Sequence, residues 1–227
     1  MKMMIKVIFA VICLFSFQVQ AVLIEYDNES DFLTAITGLN TNVVDFESQS
    51  AGDVILTGSS VSGVTFDYFI DGFDLFVDDS FDTTSPVNYL GVDVDDGAFI
   101  GGDSFTMSFA SEQSAFGLFI HSADLIFDGD ITLETDSGLI IDLIANVDEL
   151  LADGEAYFIG FSTDDVLEQF NSVTLSSFQE DFAFNVDDIT TASTVIPEPN
   201  TWSLILLVIT ALTFKKYSLT KRVNITK

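Results

Sequence analysis

The sequence predicts an all-β exported body: a two-sheet antiparallel β-sandwich with one short N-terminal helix, joined to a C-terminal transmembrane helix. Three observations carry this. From Asn42 onward, apolar residues recur in short runs with a period near two, as in strands with one buried and one solvated face. Turn pairs break those runs at Asp71-Gly72, Asp96-Gly97, Gly101-Gly102, Asp128-Gly129 and Asp153-Gly154. The two ends differ in kind from the middle, being basic and apolar where the middle is acidic.

Residues 1–21 read as a secretory signal peptide. Lys2 and Lys6 precede the apolar stretch Val7 to Phe17, and Val19-Gln20-Ala21 places small residues before a cut after Ala21. Cys13, the only cysteine, lies inside this segment behind Ala10-Val11-Ile12, a poor lipobox. The mature body therefore has no disulfide and no thiol nucleophile.

The body is expected over residues 22–190. Val22 to Tyr26 opens it as a strand. Asn28 to Thr37 is its best helix, with Asn28 or Ser30 as cap, Glu29 and Asp31 at the positive end, and Phe32, Leu33 and Ile36 on one face. Gly38 ends it. Strands follow at Asn42–Glu47, Gly63–Ile70, Phe73–Val77, Ser104–Phe109, Ala115–His121, Asp130–Glu134, Leu139–Ile144, Ala156–Phe161, Ser172–Ser177 and Phe182–Ile189, with one helical turn at Asp164–Gln169. This spacing argues for a jelly-roll-like sandwich. Residues 191–200 form a linker, 201–214 a short transmembrane helix and 215–227 a basic cytoplasmic tail.

Phenylalanine stands beside aspartate at Asp45-Phe46, Phe66-Asp67, Phe73-Asp74, Phe81-Asp82, Phe127-Asp128 and Asp181-Phe182. Strand neighbours face opposite ways, so Phe is expected inward and Asp outward. A sugar-stacking platform is the sharper reading; it would draw on Tyr26, Tyr68, Tyr89, Tyr157 and Trp202.

Charge placement narrows the function. The chain has 7 Lys+Arg and 36 Asp+Glu. Every basic residue lies at or before Lys6 or at or after Lys215, and every acidic one lies between Glu25 and Glu198. Nucleic-acid binding is excluded, because nothing in the body can neutralise phosphates. Self-repulsion on this scale calls for screening by calcium or salt. With 23 Phe and 48% apolar residues, the body is still expected to fold.

Catalysis is poorly supplied. His121 is the only histidine, and no Gly-x-Ser-x-Gly elbow, His-Glu-x-x-His helix or phosphate loop is present. A carboxylate pair could hydrolyse a glycoside, but no pair stands out. The reading is non-catalytic.

Calcium suits loop carboxylates better. Val44-Asp45-Phe46-Glu47 and Asn185-Val186-Asp187-Asp188-Ile189 resemble the first and last strands of calcium-bearing jelly-roll carbohydrate-binding modules. That resemblance implies a structural ion held by Glu47, Asp187 and Asp188. A second candidate is Asp93-Val94-Asp95-Asp96-Gly97, with Asp93, Asp95 and Asp96 as ligands. It opens like an EF-hand loop, but its glycine comes too early and the twelfth position is Ser104.

The tail reads Pro197-Glu198-Pro199, then an apolar run opening at Trp202 and closing at Phe214, then Lys215-Lys216 and Lys221-Arg222. The prolines stop any helix, and the basic cluster marks a cytoplasmic side. The run from Trp202 to Phe214 is shorter than the roughly 17–25 residues a spanning helix needs. The order of parts resembles the PEP-CTERM sorting signal of Gram-negative bacteria. That resemblance implies recognition by exosortase, passage through the inner membrane with transient anchoring, and processing at the Pro197-Glu198-Pro199 motif. It further implies delivery to the cell surface or extracellular matrix beside exopolysaccharide. A plain membrane anchor is the simpler alternative for the tail. For the body, the alternatives are a glycan-binding module in its own right and a glycoside-active enzyme.

Overall fold

The computed structural model describes residues 23–194 except 71, 95, 96, 166 and 179–181. The expected signal peptide, the Pro197-Glu198-Pro199 motif, the transmembrane segment and the basic tail all lie outside the described residues, as do Asp95 and Asp96. The chain divides into two units between Thr194 and Val195, and the described residues belong to the first.

The body opens with β1 (Leu23–Tyr26), α1 (Glu29–Ala35), β2 (Asn40–Val44), β3 (Val54–Ile55), β4 (Ser59–Val61), β5 (Val64–Tyr68) and β6 (Leu75–Asp78). Its middle holds β7 (Tyr89–Val92), β8 (Phe99–Ile100), β9 (Ser104–Gln113), β10 (Ala115–Ser122) and β11 (Ile131–Thr135). It closes with β12 (Ile140–Asp142), β13 (Val147–Leu150), β14 (Glu155–Thr163), β15 (Phe170–Ser177) and β16 (Ala183–Ser193). Two antiparallel sheets pack as a sandwich. The larger runs β1-β14-β10-β16-β7-β6-β3, with β13 also on β14 and both β2 and β8 on β16. The smaller runs β12-β11-β15-β9-β5-β4.

The Phe-rich composition becomes one aromatic column through the core. Phe66 meets Phe105 at 6.3 Å between ring centroids, Phe105 meets Phe99 at 5.1 Å, and Phe99 meets Phe184 at 5.2 Å. Phe66 and Phe105 belong to the small sheet, Phe99 and Phe184 to the large one, so the column ties the layers together. Each such pair adds about 0.5–1.5 kcal/mol beyond its buried area.

The helix forms where its cap was expected. Asn28 accepts from the Asp31 amide at 2.9 Å, and Glu29 and Asp31 occupy the first turn. Phe32 and Ile36 bury against Ala115, Phe119, Ala156, Phe158 and Ala192, a second, smaller core on the outer face of the large sheet.

Several expectations need correction. The expected helical turn at 164–169 is a single hydrogen-bonded turn among the described residues, with the Glu168 amide donating to Asp165 O at 3.1 Å. The Asp165 side chain accepts from the Leu167 amide at 2.8 Å, and Thr163 Oγ1 accepts from the Asp165 amide at 3.1 Å, so side chains take neighbouring donors. The strand at β2 ends at Val44, short of Glu47, because Phe46 turns the chain at φ +55° to bury its ring. At the other end β16 runs to Ser193, past residue 190. Strands β3, β4, β7, β8 and β13 were not expected: β3 and β8 are two residues long, β7 is buried throughout and β13 is exposed throughout, so none shows alternation. Phe73, Phe81 and Phe127 are exposed. They lie in connections, where the inward-outward rule of strands has no hold.

Candidate functional site

The turn after β2 and the strand β16 meet at one end of the large sheet. Val44 pairs with Ile189, which brings Asp45 and Glu47 toward Asp187 and Asp188. The loop between β6 and β7 closes over them. Glu47 Oε1 accepts from the amides of Val87 and Asn88, each at 2.7 Å, and from Ser85 Oγ at 3.2 Å. Burial alone would raise the Glu47 pKa, but these three donors outweigh it and hold the carboxyl below its usual range.

Asp187 is fully buried. It bonds Thr83 Oγ1 and accepts from the Ser85 amide at 3.2 Å and the Asp188 amide at 2.7 Å. Burial, then the neighbouring charge of Asp188, pushes its pKa up to about 7 against the pull of these donors. Asp188 also stands above its ordinary range, first through burial; the Thr84 hydroxyl opposes this, and Asp45, Glu47 and Glu149 add repulsion.

His121 completes the arrangement from β10. It is 4% exposed, with Nδ1 3.2 Å from Thr83 Oγ1 and Nε2 3.2 Å from Thr84 Oγ1. The chain Asp187–Thr83–His121–Thr84–Asp188 can be counted proton by proton. Each threonine has one hydroxyl proton. If both donate to the aspartates, both imidazole nitrogens must donate to the threonines. A neutral imidazole satisfies every link only if Asp187 or Asp188 carries the fourth proton. Burial pushes His121 down to about 4 and Asp187 up to about 7, and raises Asp188 as well, which favours a carboxyl over the imidazole for that proton. The body's only histidine is thus neutral, accepting at one ring nitrogen and donating at the other within a buried network.

The expected calcium trio is brought to one end of the sheet, where Glu47 Oε1 and both Asp187 oxygens accept from protein donors. Among the described residues, no group of three or more His, Cys, Asp and Glu side chains could hold a metal ion. In the second candidate loop Asp93 is exposed, and its amide donates to Asp74 O at 2.9 Å. Of the residues expected in a stacking platform, Trp202 lies outside the described residues. Tyr89 and Tyr157 are buried, and the hydroxyls of Tyr26, Tyr68 and Tyr89 are bonded to Ser162, Asp74 and Asp78.

Two cavities stand out. One, of about 100 Å³, lies beside His121 and is lined by Phe81, Asp82, Asp124, Leu151 and Asp153 among others. Its carboxylates hold loops together: Asp153 accepts from the Asp82 amide at 3.1 Å, Asp82 from the Ala152 amide at 3.0 Å, and Asp124 from the Ala183 amide at 3.0 Å. The other, of about 190 Å³, opens where β2 and β16 of the large sheet face β9 and the β4–β5 turn of the small one. Asn40, Asn42, Gln113, Thr191 and Ser193 line it, with Phe109 at its side.

Sequence reasoning missed Thr83, Thr84 and Ser85, which sit in a polar loop with no period, and the polar residues of the second cavity. The signal for the latter was present: Asn40 and Asn42 hold inward positions of β2 where an apolar residue would be expected. No family model matches this chain, and comparison with curated proteins finds no match.

Proposed function

We propose that this chain is a non-catalytic protein exported through the inner membrane of a Gram-negative bacterium. Its segment 201–214 and basic tail 215–227 hold it there briefly. Exosortase then processes it at or near Pro197-Glu198-Pro199, and the body passes to the cell surface or the exopolysaccharide matrix. The observation that carries this reading is the segregation of charge. All seven basic residues lie in the terminal segments and none in the body, as expected where positive charge fixes an orientation at each end of an exported acidic domain. The body's last strand ends at Ser193, just before the motif, so a cut there leaves the sandwich whole.

The sandwich itself is read as jelly-roll-like. Consecutive strands from β9 to β11 and from β14 to β16 alternate between the sheets, and β2 lies on β16. Calcium enters this reading as a screening ion for the acidic body. Glycan binding by the body is a second reading, favoured by the neutral polar cavity between β2 and β9.

Tags at both ends of the full chain test the sorting reading. After fractionation, the N-terminal body tag, placed after Ala21, is expected outside the cell without the C-terminal tag. A C-terminal tag that stays on the full-length exported body would make the protein a plain anchor.

A further inference from the structure

We propose that the 190 Å³ cavity between the sheets is a binding site for a neutral glycan. The inference rests on the reading of the chain as a matrix protein, and it supplies the contact with polysaccharide. The inner face of β2 and β16 changes character along its length. Val44 opposite Ile189 is buried core, Asn42 stands opposite Thr191, and Asn40 stands opposite Ser193. Alternate residues share a face, so these four polar side chains form one row running out of the core. Gln113, Ser111 and Ser62 face the row from the small sheet and its turn.

Asn42 Nδ2 donates to Ser62 O at 2.9 Å across the cavity, and unspent hydrogen-bonding capacity beside it marks the row as a site. Thr191 is only 4% exposed, yet its hydroxyl has no hydrogen-bond partner among the described residues. Gln113 is 8% exposed; its amide nitrogen donates to Ser111 O at 2.8 Å and Ser111 Oγ at 3.2 Å, which leaves its carbonyl oxygen open. Neither oxygen is sealed in, Gln49 Oε1 being the sealed unpartnered side-chain oxygen among the described residues, and both side chains line a cavity wide enough for a ligand.

The lining selects the ligand. The body carries 35 acidic residues, all 36 of the chain but Glu198, yet no lining residue of this cavity is charged. An anionic sugar or phosphate would find no cation and would meet repulsion from the whole body. An ammonium ligand would find no carboxylate. Asn and Gln amides with Thr and Ser hydroxyls offer donors and acceptors side by side, which matches neighbouring sugar hydroxyls. Phe109, half-buried, gives an apolar edge for sugar C–H groups. An enclosed cavity of roughly 150 Å³ holds benzene; an open cleft somewhat larger takes about one sugar ring, with the chain leading out.

Affinity electrophoresis of the full chain in detergent tests this. The gels hold a neutral glucan, mannan or galactan, or acidic polygalacturonate. Retardation is expected in at least one neutral gel and not in the acidic one. Thr191→Val keeps the side chain's shape and Asn42→Ala alters an exposed one, so both variants should fold; each is expected to bind about tenfold more weakly. Unchanged mobility in every neutral gel, or retardation that survives both substitutions, would overturn the site. A body that is cut and released yet unretarded sinks the site alone, whereas one that is retarded but never cut sinks the sorting reading alone.

Discussion

His121 and Asp187 are linked through Thr83, and their opposite shifts shape how the body responds to pH. Asp187 in the fold titrates above its ordinary 3.8, so its contribution favours the fold at low pH and is lost as pH rises through about 7. His121 titrates below 6.5, so its contribution is present above 6.5 and is lost as pH falls toward about 4. Between those values unfolding takes a proton from Asp187 and gives one to His121, and the pair contributes no slope. In His121→Gln only the Asp187 contribution remains. The stability gap between wild type and variant should then widen by about 1.4 kcal/mol per pH unit from 4.5 to 6.5 in denaturant titrations. Because His121 is the only histidine, a single imidazole resonance reports its state by NMR. It should stay neutral from pH 5 to 8 and titrate near 4; protonation persisting to pH 7 would place the fourth proton on His121 instead of a carboxyl.

Two elements are held by contacts that single substitutions can probe. Helix α1 sits on the large sheet at Gly117, where an added Cβ would lie 2.5 Å from the Phe158 ring and 3.2 Å from Phe32. Gly117→Ala should therefore cost about 1–3 kcal/mol in chemical denaturation by overpacking. A cost near zero would mean that the helix floats free of the sheet. The loop between β6 and β7 hangs on Glu47, whose Oε1 serves three donors. Glu47→Ala should cost about 1–3 kcal/mol, and Glu47→Gln, which keeps an acceptor, clearly less. Equal costs would remove the anchoring role. The contrast between these two elements shows what the sequence made legible. Helix α1 was readable because Asn28, Glu29, Asp31, Phe32 and Ile36 are local to one another. The partners of Glu47 were not, because Val87 and Asn88 reach it only through the sandwich's topology. The same holds for His121 and Asp187, which sit on neighbouring strands far apart in the chain. Strands β5, β9, β14 and β15 announced themselves by alternation or apolar density; β7 and β13, uniformly buried and uniformly exposed, carried no period to read.

At the scale of the molecule, charge dominates. A body with 35 carboxylates and no Lys or Arg repels itself, and salt should raise its melting temperature. Since Glu47 and Asp187 are engaged by protein donors, sodium at matched ionic strength should reproduce the rise seen with calcium. A calcium-specific rise that Glu47→Ala and Asp188→Ala each abolish would restore an ordered site instead. The same charge map underlies the central claim, that two basic ends guide the export of an acidic sandwich and that the tail is then removed. Intact-mass spectrometry of the protein recovered outside the cell tests it most directly. The account expects a chain that begins at Val22 and ends at or near Pro197-Glu198-Pro199, with no residue of 201–227. A mass that includes the basic tail through Lys227 would contradict it.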